Sequence, residues 1–358
     1  MSYLLAALGI VALVILHEAG HFAMAKAVGM RVERFSLFFG PMLVKFRRGE
    51  TEYGMGPIPL GGYVKITGMN PHEELAPELV PRAYYNQAPW KRVVVILAGP
   101  AVNLVIAFAL LMGIAMIHGL VEPTAKIAAG SLTTPGSRYL KAGDKIVAVD
   151  GKRGLSVGAI SNEISGHRCA GTPTRSCQAS TPVQLEVRRA GKLRTFSIYP
   201  RFSPSEKRTL VGFAFDQHIQ QFGPGAAASW SLGEMWFVTH TTVSTVAKLF
   251  EPKVRAQLHG IVGGFKVTQQ RFALDTAQAL FTLALISLSL AIINLFPFLP
   301  LDGGHVFWAV AEKIRGRRIS FGVMERAGAV GFVLIILLGV IGLSNDISTL
   351  TGGGFKVR

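Results

Sequence analysis

The chain has 358 residues, half of them hydrophobic and only 16% charged, with a formal net charge of +16. Apolar content on this scale points away from an ordinary soluble domain and toward membrane-spanning helices, each needing about 20 uncharged apolar residues. The basic excess would suit nucleic acid or an acidic membrane surface, but its concentration in short segments beside apolar runs argues against nucleic acid and for the lipid bilayer as partner.

In chain order, the first apolar run, residues 2–16, passes unbroken into His17-Glu18-Ala19-Gly20-His21 and continues to Val28. No positive charge precedes it and no small-x-small site follows it, so it reads as a retained helix rather than a cleaved signal peptide. Residues 34–66 change character. Phe35-Ser36-Leu37-Phe38-Phe39 and Met42-Leu43-Val44-Lys45-Phe46 are β-prone, Arg48-Gly49-Glu50 marks a turn, and Gly and Pro follow, a pattern for short strands or a hairpin. Such backbone is tolerated at membrane depth only where protein or water covers its polar groups. Residues 69–89 read as a surface loop, and residues 93–121 as a second span.

Residues 122–217 carry the pattern of a small β-rich soluble domain. Gly143-Asp144 makes a turn, Ile146-Val147-Ala148-Val149 a strand, and Asp150-Gly151 a tight hairpin turn. Residues 183–189 and 193–199 alternate apolar and polar around a turn at Ala190-Gly191. This run resembles the PDZ domains of bacterial envelope proteases, which bind extended peptide ends by strand addition. Cys169 and Cys177, the only two cysteines, lie in a stretch, residues 168–180, that looks like an insertion. A disulfide in an oxidising compartment and two free thiols are both open readings. Residues 218–275 form a linker with helical, partly amphipathic character, in which His240 and His259 read as surface residues. Residues 276–301 and 327–345 are the third and fourth spans.

The short segments between the first and second spans and between the third and fourth are rich in Lys and Arg, including Arg31, Arg34, Arg47, Arg92, Lys313, Arg315, Arg317 and Arg318. By the positive-inside rule both are cytoplasmic. Four spans then put both termini and the middle domain outside. The expected fold is a polytopic α-helical membrane protein with about four transmembrane helices, a membrane-associated β-hairpin element and an inserted extracytoplasmic PDZ domain of α+β type. Its parts are residues 1–121, an N-terminal membrane core; 122–217, the PDZ domain; 218–275, the linker; and 276–358, a C-terminal membrane core.

The chemistry centres on His17-Glu18-Ala19-Gly20-His21, an H-E-x-x-H motif. On a helix, positions i and i+4 share a face, so both imidazoles can grip one zinc ion. Glu18, the catalytic acid/base, can take a proton from the water that attacks a carbonyl and return it to the leaving amine. Ionisable groups at bilayer depth are costly and point to function. A catalytic zinc needs a third protein ligand. The best candidate is Asp302 in Asn294-Leu295-Phe296-Pro297-Phe298-Leu299-Pro300-Leu301-Asp302-Gly303-Gly304-His305, where the prolines break the helix and the glycines allow close backbone approach. At about 1.5 Å per residue, His17 lies roughly 20 Å along the first helix, in the cytoplasmic half of the core, and Asp302 sits at the inner end of the third span. His305 follows as a neighbour of the metal motif or a plain helix-end histidine.

These two motifs, with Gly99-Pro100-Ala101-Val102-Asn103 in the second span and the PDZ-like insert, resemble the site-2 protease family of intramembrane zinc metalloproteases, in its bacterial branch that cleaves anti-sigma factors and remnant signal peptides. The resemblance covers nearly the whole chain. It implies one Zn2+ per chain held by His17, His21 and Asp302, with Glu18 as acid/base. It implies that Asn294 binds substrate backbone and that Gly61, Gly62 and Tyr63 belong to a membrane-embedded β element presenting an unwound strand of a transmembrane protein substrate. It places the protein in the bacterial inner membrane, multi-pass, with the active site toward the cytoplasm and peptide ends read by the PDZ domain. The family commonly has Gly-Pro-Val-Gly before the third span where this chain has Gly260-Ile261-Val262-Gly263, and some relatives carry two PDZ domains rather than one. Asn103 either bonds between helices or meets substrate. Two other classes compete: a membrane zinc transporter, which would need ligands at several depths, and a catalytically silent scaffold that binds peptides.

Overall fold

The computed structural model describes residues 2–70, 73–171, 174, 177–249, 251–255, 260–317 and 319–351; His259, Arg318 and parts of the 168–180 stretch lie outside the described residues. The chain divides into two compact units, Met1–Ile117 with Gly223–Arg358, and His118–Phe222.

The first unit opens with α1 (Ser2–Ala27), four strands β1 (Val32–Phe39), β2 (Val44–Arg48), β3 (Thr51–Met55) and β4 (Ile58–Ile66), and α2 (Pro89–Gly113). The second unit holds β5 (Leu120–Ile127), β6 (Lys145–Val149), β7 (Lys152–Arg153), α3 (Val157–Gly166), β8 (Val183–Arg189), β9 (Lys192–Ile198), β10 (Arg201–Ser203), β11 (Arg208–Leu210) and β12 (Phe215–Gln220). The chain then returns to the first unit through α4 (Pro224–Ala247), α5 (Pro252–Arg255), α6 (Ile261–Leu274), α7 (Thr276–Asn294), α8 (Asp302–Arg315) and α9 (Phe321–Thr351).

Among the described residues, four helices are long and apolar enough to cross a membrane: Tyr3–Ala27, Pro89–His118, Thr276–Asn294 and Gly322–Thr351. Leu4 and Leu8 on α1 and Val330, Val333 and Val340 on α9 are exposed, as befits helices whose solvent is lipid. The second of these ends at His118, short of the expected Val121, because Gly119 at φ +75° turns the chain into β5.

The β element is larger than the expected hairpin. Its four strands form one sheet in the order β2-β3-β1-β4. Only β2 and β3 make a simple hairpin, closed by Gly49-Glu50. β1 pairs in parallel with β3 and antiparallel with β4, and these non-local pairings leave no mark in the local sequence. Ala25, Met30, Val32, Ile66, Tyr84, Val95 and Ile96 form the core that joins this sheet to α1 and α2.

Helices α4, α5 and α6, which fall in the expected linker of residues 218–275, are built into the first unit. Met235 and Val238 of α4 pack against Ala107, Leu288 and Ile292. Asp346 of α9 is fully buried and caps α6, its carboxylate accepting from the amides of Gly260 at 3.0 Å and Gly263 at 2.7 Å. Those amides belong to the helix N-terminus, where an anionic acceptor is favoured.

The second unit is a sheet ordered β12-β5-β6-β8-β9, with β7 beside β6. Val183, Leu185 and Val187 alternate inward and are fully buried with Ile127, Ile146, Ile160 and Ile198. Asp150-Gly151 and Ala190-Gly191 close two-residue hairpins with positive φ at both residues, the twist that such short hairpins require. Cys169 and Cys177 are joined as a disulfide. Asp144, only 2% exposed, takes two bonds from Arg189, at 2.8 and 2.6 Å, and one from the Lys141 amide at 2.8 Å. Burial alone would push the Asp144 carboxyl up, but the Arg189 guanidinium and the Lys141 amide hold it below its usual range. A carboxyl depressed on folding adds stability above its unfolded value, near 3.9, and loses it as pH falls through the folded value. Asp144→Asn, which leaves Arg189 half-paired, should cost about 3 kcal/mol, a roughly hundredfold faster amide exchange in β6 and β8 of the full-length protein at pH 7. The gap between variant and wild type should close in strong acid.

Candidate active site

H-E-x-x-H lies inside α1, so His17 and His21 point the same way, both buried. Asp302 arrives from a distant part of the chain. Pro297 and Pro300 keep α7 from continuing, and α8 restarts with Asp302 as its first residue. Gly303 and Gly304 let that helix start fold back on the preceding loop: a Cβ at Gly303 would meet Leu295 O at 2.3 Å, and one at Gly304 would meet Leu299 N at 2.5 Å. The far end of α8 is tied to α2 by Glu312 and Arg92, 2.5 Å apart and nearly buried.

Asp302 Oδ2 lies 3.3 Å from Nε2 of both His17 and His21, and those two nitrogens are 3.2 Å apart. Oδ2 is buried, yet it accepts no well-formed hydrogen bond from the described residues. His21 Nδ1 faces the Val95 carbonyl at 2.9 Å. A carbonyl only accepts, so Nδ1 carries the hydrogen and Nε2 keeps its lone pair. Two ring nitrogens and a carboxylate oxygen converge on one point, and their spacing is that of tetrahedral ligands around zinc, about 3.3 Å apart for bonds of about 2.0–2.1 Å. The residues present fit a zinc ion.

Helix α2 is shaped to admit this cluster. A Cβ on Gly99 would sit 2.2 Å from His21 Nε2, and one on Gly20 would sit 2.7 Å from the Ala98 carbonyl. Sequence reading singled out the Gly-Pro stretch of this helix without assigning Gly99 or Val95 a task, since both act through backbone position rather than side-chain chemistry.

A cavity of about 420 Å³ opens on the cluster. His17, Glu18, His21, Asn294, Asp302, His305, Gly61, Gly62 and Tyr63 all line it, together with apolar walls from Val14, Phe39, Ile96 and Leu290 that sequence reading missed. β4 passes close to Glu18 because residue 62 is glycine: a Cβ there would lie 3.1 Å from Glu18 Cγ and 2.9 Å from the Ser36 carbonyl. Among the described strands β4 is at the edge, with β1 as its one sheet neighbour, and its Val64 amide meets the Glu18 carboxylate. Lys65 at its end is clamped between Glu33 and Glu73, at 2.7 and 2.6 Å, and these carboxylates push the lysine pKa up.

Zinc, when bound, supplies a Lewis acid that polarises a carbonyl and lowers the pKa of water. Within the same cavity Glu18 can carry a proton from water to a leaving amine. Asn294 offers both a donor and acceptors, and the open edge of β4 offers backbone groups to an extended chain.

Residues 5–338 match Peptidase family M50. Zinc metalloprotease Rip1 of Mycolicibacterium smegmatis is 32% identical to the chain over 385 residues, covering 94% of the chain and 92% of the relative. Zinc metalloprotease Rip1 of Mycobacterium tuberculosis is 33% identical over 353 residues, covering 86% and 85%. With a match spanning nearly all of its length, the chain belongs to peptidase family M50, the site-2 protease family, and is a multi-pass membrane zinc metalloprotease.

Proposed function

We propose that this protease hydrolyses peptide bonds inside the membrane-spanning segment of single-span proteins, with His17, His21 and Asp302 as zinc ligands and Glu18 as acid/base. The observation that carries the reading is one cavity, lined by all four of these residues, in a unit whose helices are long enough to cross a membrane. A helical substrate shields its carbonyls by internal hydrogen bonds, so it must unwind before water can attack. The outer edge of β4, with Gly61, Gly62 and Tyr63 at the cavity, suits an extended segment added as a further strand, and Asn294 suits a bond to its backbone. The substrates are anti-sigma factor-like proteins or remnant signal peptides, entering after an earlier cut has removed an external domain. The protein works in the bacterial inner membrane, with its chemistry toward the cytoplasmic side and residues 122–217 outside.

That external segment acts as a PDZ domain, a size filter or reader of newly exposed peptide ends. Support comes from its two glycine-closed hairpins and from a cavity of about 470 Å³ between α3 and residues 210–215, lined by Ser161, Ile164, Leu210 and Phe213 among others. Deletion of residues 122–217 should erase the preference for trimmed over untrimmed substrate; an unchanged preference refutes the filter.

The test of the whole reading is the purified protein in lipid vesicles with a single-span substrate. Cleavage should stop on chelation and return with zinc. Cleavage indifferent to chelation refutes the reading, and zinc flux without proteolysis would favour a transporter.

A further inference from the structure

The groups behind the two histidines are unequally satisfied. His21 has the Val95 carbonyl behind it, whereas His17 has a side chain: the Asn103 amide, with Nδ2 placed 3.4 Å from His17 Nδ1. Asn103 is fully buried, and its Oδ1 has no hydrogen-bond partner among the described residues. Val95, Gly99 and Asn103 are spaced by four residues and so share one face of α2, opposite the i, i+4 pair His17 and His21. The backbone carbonyl of Asn103 accepts from Ser287 Oγ of α7 at 2.9 Å, a contact between helices that leaves the side-chain amide untouched.

Hydrogen accounting decides which way the amide must face. If His17 Nε2 keeps its lone pair for the metal, the neutral ring carries its hydrogen on Nδ1. An N–H set against an NH2 group pairs two donors and strands the amide oxygen in a buried site. A half-turn of the amide exchanges oxygen and nitrogen without moving the residue. We propose that Asn103 is the positioning residue for His17, its Oδ1 accepting the Nδ1–H and so fixing the tautomer and ring direction that present Nε2 to zinc. α2 thereby orients both histidines, one through a backbone carbonyl and one through a side chain. The proposal rests on the reading of His17 as a zinc ligand.

The test is zinc affinity of the full-length protein in detergent, measured by competition with a chromophoric chelator, with thermal melting alongside as a check on folding. Asn103→Leu should bind zinc about 10–100-fold more weakly, the usual effect of losing such a partner. Asn103→Asp, an acceptor that cannot donate, should stay close to wild type, and Ser287→Ala, which removes only the contact between helices, should too. Equal weakening in Asn103→Asp and Asn103→Leu would mean that the amide donates, and would overturn the proposal. Equal weakening in Ser287→Ala would reduce Asn103 to helix packing and overturn it as well, as would unchanged affinity in Asn103→Leu. Should the leucine variant not fold, Asn103→Ala takes its place. Zinc binding by His17→Ala as tight as wild type would refute the ligand assignment itself, whereas loss there with normal binding in Asn103→Leu refutes Asn103 alone.

Discussion

Glu18→Gln is expected to lower the cleavage rate by about 10²–10⁴-fold, the range that positioned acid/base groups supply, while zinc stays bound at one ion per chain. Glutamine keeps the shape of the side chain but cannot carry a proton from water to the leaving amine. Glu18 lines the cavity beside the three candidate ligands without belonging to their cluster, so chemistry and metal binding should separate in this variant. The check is a single-turnover cleavage assay beside metal analysis of the same preparation. Zinc loss together with activity would make Glu18 a structural or ligating group instead.

Gly99→Ala should have an effect out of proportion to one methyl group. The added carbon would fall 2.2 Å from His21 Nε2 and 2.6 Å from its Cε1, so the ring must swing out of line or α1 must move from α2. Overpacking of this kind costs about 1–3 kcal/mol in stability, and displacement of the ring should weaken zinc binding at least as much as loss of an orienting partner, about 10–100-fold. Gly113→Ala, in the same helix, is the control: a Cβ there meets nothing within 4 Å. It should leave zinc binding unchanged and, if anything, favour the helix. Thermal melting and chelator competition on the two variants make the comparison; equal zinc affinity in both would mean that the close fit of α2 to His21 does not matter.

The parts of the site that could be read from the sequence are those encoded in short spacing or in a break of pattern. His17, Glu18 and His21 declare themselves by i, i+4 periodicity within an apolar run. Asp302 stands out because two prolines interrupt a span just before an acid and two glycines. What could not be read depends on partners distant in the chain. The pairing of β1 with both β3 and β4 turned an expected hairpin into a four-stranded sheet. Asp346 directly follows the fourth expected span, and nothing near it in the chain shows that its carboxylate caps α6 more than 80 residues earlier. Gly99 and Gly62 matter for the atoms they lack, and the volume they leave becomes visible only when His21 and Glu18 are in place. The helices of residues 224–274 carry too weak an apolar periodicity to announce that α4 packs on Ala107, Leu288 and Ile292.

Zinc chemistry at His17, His21 and Asp302 should cut a bond within the bilayer. The most direct measurement is mass-spectrometric identification of the bond broken in a single-span substrate co-reconstituted with the protein in nanodiscs. The expected cut lies within the apolar segment of the substrate, present in wild type and absent in Glu18→Gln. A cut confined to the soluble flanks, or one that persists in Glu18→Gln, would contradict that expectation.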